Sequence, residues 1–191
     1  TPPATFLQSV AAGQLGRKAL LVDKDKLGGE CLNYGCIPSK AMIAAAGTLH
    51  KARKASEIGI ETGTVTVDMA RLQAWRAKLI GGLNRGIAGL AKGNGVETLE
   101  GSARLTGPRS AEVRLASGGT EEVSFEHCIL ATGSRAVETP GFAFDGESVL
   151  SNKEALELAA LPARLLVIGG GVIGLEIGIY CAKLGSRVTV V

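Results

Sequence analysis

Two stretches of the chain carry apolar side chains at the three- and four-residue spacing of a helix face. They cover residues 37–55 and 68–92, and the second contains Trp75, Leu79 and Leu83 with polar residues between them. This spacing predicts two long amphipathic helices.

Three shorter runs alternate apolar and polar positions, as a half-buried strand does. They are residues 97–105, 111–115 and 121–130, and Gly-Pro and Gly-Gly turn signals separate them. The pattern predicts a small antiparallel meander inserted in an α/β domain. Residues 139–162 are polar and interrupted by Pro and Gly, which predicts a connection into the segment that follows.

Two segments of the chain resemble each other at a constant offset of 169 residues. Residues 15–23 and 184–191 both join a Leu-Gly helix end to an apolar strand. In the second copy, an apolar strand at residues 165–168 leads into a glycine-rich turn at 169–174 and a helix at 175–184. Strand, glycine turn, helix and strand in this order predict the opening βαβ unit of a dinucleotide-binding fold.

The first copy of this unit is incomplete. The offset places the first of its three fingerprint glycines one residue before Thr1. It places the second at Pro2 and the third at Thr5, so neither position carries a glycine. The acid that follows the unit falls at Asp23 in the first copy and one residue past Val191 in the second. We therefore expect a fragment, or a degenerate copy, of a longer protein, and negligible NAD-linked activity from these 191 residues alone.

Composition narrows the class of protein. The 27 glycines in 191 residues have no collagen-like period and indicate many tight turns. The net charge is only +3 and the basic residues are scattered, which argues against a nucleic-acid partner. No apolar run approaches the roughly 20 residues of a membrane span. With only four cysteines, we expect a reduced, cytoplasmic protein without a membrane partner, in which Cys128 and Cys181 are buried core residues.

The other two cysteines, Cys31 and Cys36, carry the strongest local signal. Five residues advance a regular helix by about 500°, so the two side chains would point about 140° apart. A disulfide between them requires a distorted first turn, which Gly35 and Pro38 can supply, and a helix N-terminus lowers the pKa of a thiol. The spacing favours an exchange-competent dithiol over a structural disulfide. It disfavours a metal site, because no second Cys/His pair stands at ligand spacing.

Three motifs now point to a family. LGGECLNYGCIPSK at residues 27–40 resembles the redox-active signature of the flavin-dependent pyridine nucleotide-disulfide oxidoreductases. ILATGSR at residues 129–135 is similar to that family's ATG motif, and LLVIGGGVIGLEIG at residues 165–178 is similar to its NAD fingerprint. The first motif looks most like the dihydrolipoamide dehydrogenase branch, since glutathione and mercuric reductases usually carry Val in place of Leu32 and Ile37.

The resemblance implies roles for individual residues. Cys36 would be the thiol nearest the flavin, and Cys31 would be the interchange thiol that attacks the substrate disulfide. Lys40 would hold a positive charge beside the flavin ring, with Glu176 as its partner. The implied cofactors are FAD and NAD. The residues implied to bind them are Asp23, Gly29, Lys40, Ala103, Thr132, Gly133, Ser134, Gly169, Gly170, Gly171, Ile173, Gly174 and Glu176.

The implied fold is α/β, an FAD/NAD(P)-binding, Rossmann-like three-layer fold with a small antiparallel β-meander insertion. Residues 1–145 would form an incomplete FAD-binding domain, and residues 146–191 a connection and the start of an NAD-binding domain. The implied reaction converts dihydrolipoamide and NAD⁺ to lipoamide and NADH. The implied partners are a lipoamide-bearing protein of a 2-oxoacid dehydrogenase complex, or a small disulfide substrate, and a second copy in a homodimer.

Two alternatives remain open at this point. The chain could belong to a relative of mercuric or glutathione reductase. It could also be a nonenzymatic remnant that retains the fold without FAD.

Overall fold

The computed structural model describes residues 4–191, with side chains from Phe6 onward. The helices are α1 (Ala4–Gln14), α2 (Gly29–Asn33), α3 (Cys36–Arg53), α4 (Met69–Gly93), α5 (Asn152–Leu156) and α6 (Val172–Leu184), with a 3-10 turn at Ala55–Ile58. The strands are β1 (Ala19–Asp23), β2 (Val96–Gly107), β3 (Ser110–Leu115), β4 (Thr120–Ser124), β5 (Arg164–Val167) and β6 (Arg187–Val190). The chain forms two compact units, one of residues up to 33 with 81–134 and one of residues 34–80 with 135–191.

The first unit is built on a sheet of order β1-β2-β3-β4. The first five residues of β2 pair in parallel with β1, and from Gly101 onward β2 pairs antiparallel with β3. One strand therefore belongs both to the dinucleotide-type sheet and to the meander. The core under β1 consists of apolar side chains from α1, β1, α4 and β2, namely Phe6, Val10, Leu21, Ala91 and Val96.

The second unit contains the βαβ element predicted from the glycine turn. β5 and β6 are adjacent and parallel, and α6 connects them. Helix α3 packs against α6. Met42, Ala46, Tyr180 and Cys181 are fully buried in the core of this unit, because both helices present small or apolar residues to it.

The two copies of the repeat have the same local structure. Shifted by 169 residues, α1 falls within α6 and β1 overlaps β6. The α/β, Rossmann-like fold class is thus confirmed, and so are the long helices α3 and α4. Pro2 lies outside the described residues, while Thr5 lies within α1. The division into FAD and NAD domains at residue 145 stays a prediction.

Two local expectations were wrong. The run at residues 121–130 forms a strand only over β4, and residues 125–138 have no regular structure. Cys128 is consequently exposed rather than buried, because no sheet face covers it, whereas Cys181 is buried as expected. A short helix that was not predicted, α5, lies within the connection at residues 139–162 and begins with a capping box formed by Ser151 and Glu154.

None of the helices in the described part of the chain is both long enough and apolar enough to cross a membrane.

Candidate functional site

The two cysteines of the first motif are joined by a disulfide. Cys31 lies in α2 and is half-buried, and Cys36 is exposed and begins the 18-residue helix α3. Gly35, the residue before α3, has a non-helical backbone (φ −134°, ψ −106°) and makes no side-chain cap. Pro38 is accommodated in the first turn of the helix, where a missing N–H costs little. The start of α3 is therefore interrupted where a disulfide over five residues requires it.

An asparagine that sequence reasoning did not single out fixes the backbone before this turn. Asn33 is buried, and its Nδ2 donates to the carbonyls of Gly29 (3.0 Å), Leu27 (3.1 Å) and Lys26 (3.3 Å). Asn84 Nδ2 donates to Asn33 Oδ1 at 2.8 Å. The segment leading to Cys31 is thus held by side-chain hydrogen bonds, and a lone Asn gives no sequence signal for such a role.

Lys40 and Glu176 are brought together, as the resemblance implied. Lys40 Nζ lies 2.6 Å from Glu176 Oε1, and Ser39 Oγ donates to Glu176 Oε2 at 2.6 Å. The Lys40 side chain is 61% exposed and the Glu176 side chain 21%. The hydrogen bond from Lys40, and then that from Ser39, lower the pKa of Glu176 below its ordinary value because both favour the carboxylate.

A cavity of about 260 Å³ joins these groups within the second unit. Its lining combines the redox turn (residues 34–36), polar side chains from the first two turns of α3, residues of α5 and the first turns of α6. The residues are Tyr34, Gly35, Cys36, Ser39, Lys40, Asn152, Leu156, Val172, Ile173, Glu176 and Ile177. A sulfur of the disulfide, the Lys40 ammonium paired with a carboxylate, and an apolar wall thus share one pocket.

The glycine turn has the properties of a dinucleotide phosphate site. Gly169 has φ +97°, which favours glycine, and Gly171 precedes α6 without a side-chain cap. A Cβ added at Gly170 or Gly171 would meet no atom within 4 Å. A phosphate can therefore approach the backbone at the N-terminus of α6, where unpaired N–H groups and the helix dipole favour an anion. The turn fits the pyrophosphate of NAD.

Gly174 serves close packing instead, which gives a stability prediction. A Cβ at Gly174 would lie 2.8 Å from Val167 Cγ1 and 3.2 Å from the Gly169 carbonyl oxygen. We expect Gly174→Ala to lower the free energy of unfolding by about 1–3 kcal/mol because β5 and α6 must separate. Urea denaturation of Gly170→Ala is the matched control, since that side chain points into open space. Equal losses for the two variants would contradict the packing argument.

The residues implied to bind FAD in the first unit are not joined into one site by contacts among themselves. Asp23 stands at the carboxyl end of β1, half-buried, and its Oδ1 accepts a hydrogen bond from the Asp25 backbone N–H at 3.1 Å. Ala103 is exposed on β2, and Gly29 begins α2 with φ +63°. Residues 132–134 are exposed in the irregular segment, not at the end of a strand as expected. A carboxylate at a strand end fits a ribose. The Gly29 backbone is already engaged, since its N–H donates to the Lys26 carbonyl and its own carbonyl accepts from Asn33.

No group of side chains that could hold a metal ion occurs in residues 4–191.

Comparison with known proteins gives a consistent result. The chain is 47% identical to the dihydrolipoyl dehydrogenase of Haloferax volcanii over 99% of its own length and 40% of that protein. It is 44% identical to the Pseudomonas aeruginosa dihydrolipoyl dehydrogenase, over 99% of the chain and 41% of the relative. A crystal structure of LpdA from Mycobacterium tuberculosis superposes with a TM-score of 0.91 at 26% identity, over 99% of this chain and 42% of that one. The chain thus spans about 40% of the length of these curated relatives.

The sequence profile of the pyridine nucleotide-disulphide oxidoreductase family matches residues 3–191. Its members use FAD and NAD(H). The chain belongs to the pyridine nucleotide-disulphide oxidoreductase family.

Proposed function

We propose that the chain supplies the redox disulfide and part of both cofactor sites of an enzyme that oxidises dihydrolipoamide with NAD⁺. The observation that carries the proposal is the shared pocket. Cys36, from the disulfide, lines the same cavity as the Lys40–Glu176 ion pair, and Glu176 lies on the helix that follows the NAD turn. The dihydrolipoyl dehydrogenase relatives favour this substrate over mercuric ion or glutathione disulfide.

The chain's own part of the reaction is thiol–disulfide exchange. A thiolate of dihydrolipoamide attacks Cys31 Sγ, the Cys31–Cys36 bond breaks, and Cys36 leaves as a thiolate. The second substrate thiolate then attacks the mixed disulfide, releasing lipoamide and a reduced Cys31. Two electrons have passed from substrate to protein. The N-terminus of α3 stabilises the Cys36 thiolate because the helix dipole is positive there.

The cofactor-binding roles rest on local fit. Asp23 would bind the FAD ribose, and Ala103 and residues 132–134 would offer backbone groups to FAD. The turn from Gly169 to Gly174 would hold the NAD pyrophosphate. FAD, when bound, supplies a two-electron acceptor that can reduce NAD⁺. Lys40 would keep a positive charge at the pocket, and Glu176 and Ser39 would hold the Lys40 ammonium in place.

The pH dependence of stability offers a direct check of the ion pair. The pKa of Glu176 is lower in the folded protein than in the unfolded chain, so the pair stabilises the fold above the ordinary Glu range. This contribution is lost as the pH falls through the lowered pKa. The free energy of unfolding, measured by urea denaturation, should therefore decrease less between neutral and acidic pH in Glu176→Gln than in the wild type. An unchanged acid profile would contradict the pair's contribution.

The wider assignments follow from the proposed activity. The substrate would be the lipoyl group of a 2-oxoacid dehydrogenase complex, or a small disulfide, and the working protein would be a cytoplasmic homodimer. The net charge of only +3, with scattered basic residues, argues against a nucleic-acid partner.

The experiment that tests the function uses the protein that carries this chain, purified with FAD. Bound flavin is measured by absorbance, and NADH production is followed with dihydrolipoamide as the electron donor. Parallel assays offer glutathione disulfide and Hg²⁺ with NADH or NADPH as the reductant. Turnover of either in place of lipoamide would assign the protein to the reductase alternative, and no flavin together with no turnover would support the nonenzymatic one.

A further inference from the structure

The residue that precedes Gly35 in the redox turn is held by two contacts from the start of α5. Asn152 Nδ2 donates a hydrogen bond to the Tyr34 carbonyl oxygen at 2.8 Å. Lys153 Nζ lies 4.2 Å from the centroid of the Tyr34 ring. One contact fixes the main chain of Tyr34, and the other fixes its side chain, because an ammonium group is attracted to the face of an aromatic ring.

Helix α5 has only five residues, but hydrogen bonds and burial hold it in place. Ser151 and Glu154 satisfy each other's backbone N–H groups in a capping box, which fixes the start of the helix. Ala155 is buried, and its carbonyl accepts a hydrogen bond from the hydroxyl of the fully buried Tyr180. The groups that hold Tyr34 are therefore tied to the core of the second unit.

We propose that Tyr34, Asn152 and Lys153 form a clamp that positions the redox turn and favours the Cys31–Cys36 disulfide over the open dithiol. The clamp contacts are those of the disulfide form, in which the backbone at Gly35 is non-helical. Opening the disulfide releases residues 31–36 from this conformation, and the contacts then no longer match the relaxed turn. Contacts that differ between two states shift the equilibrium between them.

The inference rests on the proposed function, because it takes this disulfide to be the one that exchanges. Lys153 and Tyr34 are positioning residues: they act on the turn and take no part in bond exchange. Lys153 could also act simply as a positive charge that stabilises thiolates, and this would favour the dithiol. The two roles therefore predict opposite shifts when the charge is removed.

The test is the equilibrium of the protein with a dithiothreitol redox buffer. Dithiothreitol gives two electrons and two protons to the protein disulfide and closes to its own disulfide. The number of free protein thiols at equilibrium therefore gives the equilibrium constant. We expect Lys153→Met to shift the equilibrium constant toward the dithiol by about two- to five-fold, the effect of one partly exposed cation–π contact. Tyr34→Leu should give a similar shift. Lys153→Arg and Tyr34→Phe should retain most of the wild-type value.

A double-mutant cycle separates the clamp from a charge effect. In the Tyr34→Leu background, Lys153→Met should add little, because its partner ring is already absent. Lys78→Met on α4, an exposed lysine, is the matched control and should leave the equilibrium unchanged. Circular dichroism checks that each variant is folded. If Tyr34→Leu does not fold, Lys153→Met compared with Lys153→Arg decides, since only the first removes the cation–π contact.

The outcomes distinguish the two proposals. An equal shift by Lys153→Met in both backgrounds, a shift toward the disulfide, or no shift at all would overturn the clamp. A wild-type disulfide that dithiothreitol and dihydrolipoamide both fail to reduce would instead overturn the proposed function.

Discussion

In the protein that carries this chain, Cys31→Ser and Cys36→Ser should both reduce lipoamide turnover by at least about 10³-fold, but they should do so in different ways. Exchange needs one thiol to meet the substrate and a second to resolve the mixed disulfide. With Cys36 replaced, Cys31 should form a stable mixed disulfide with lipoamide that mass spectrometry detects. With Cys31 replaced, that adduct should be scarce, and the Cys36 thiolate should keep its charge-transfer absorbance with bound flavin.

The structure makes this prediction stringent. Cys36 is the more exposed of the two residues and begins α3, so exposure by itself would make Cys36 the substrate thiol. Cys128→Ser is the matched control, since Cys128 is exposed in the irregular segment and lies outside the motif. If the two variants trap the substrate equally well, the division of roles is wrong. If only Cys31→Ser traps it, the roles are reversed.

Lys40→Met should lower NAD-linked turnover by about 10²-fold, because a preorganised charge at a reaction site is worth an effect of this size. Lys40→Glu should lower turnover further, since it would place a second carboxylate beside Glu176, where the wild type has an ion pair. The reduction potential of bound flavin should fall in both variants, because a nearby positive charge favours the reduced, anionic form. Lys51→Met, exposed later on α3, is the control for loss of charge alone.

A charge swap then tests the contact between Lys40 and Glu176. Lys40→Glu combined with Glu176→Lys should recover part of the unfolding free energy that each single reversal loses. Since Lys40 is 61% exposed, solvent screening limits this recovery to about 0.2–1 kcal/mol. A double variant with no recovery in either stability or flavin potential would show that the two side chains do not act as a pair.

Periodicity predicted the long elements well because burial of one face dominates their energetics. Helices α3 and α4 begin and end within one or two residues of the predicted ranges. Trp75, Leu79 and Leu83 indicated a helix correctly, yet they are 46%, 38% and 41% exposed. A spacing reports which residues share a face, and it does not report what covers that face.

The misses have identifiable physical causes. The alternation at residues 121–130 was taken for one strand, but only β4 finds a hydrogen-bonded neighbour, β3. The sequence does carry a start signal for helix α5, because Ser151 stands three residues before Glu154. The helix has only five residues, which is too short for a periodic pattern to show.

The site shows what sequence alone leaves out. The resemblance supplied Lys40 and Glu176, which are 136 positions apart. Ser39 received no role from it, although its hydroxyl reaches the same carboxylate. The contacts of Tyr34 with Asn152 and Lys153 could not be read from any motif, because folding alone brings segments about 118 residues apart together.

The double membership of β2 has a consequence for how the first unit can change. Gly101 marks the switch from parallel to antiparallel pairing, and a Cβ there would lie 2.4 Å from the Arg114 carbonyl oxygen. The β3–β4 hairpin therefore pairs with a strand whose first half already pairs with β1, and it does not form a separate module. Its tip at Gly118 and Gly119 can lengthen or shorten without disturbing the β1–β2 register. A slip at Gly101, by contrast, would move Ala103 to the opposite face of the sheet and misalign the surface that we propose binds FAD.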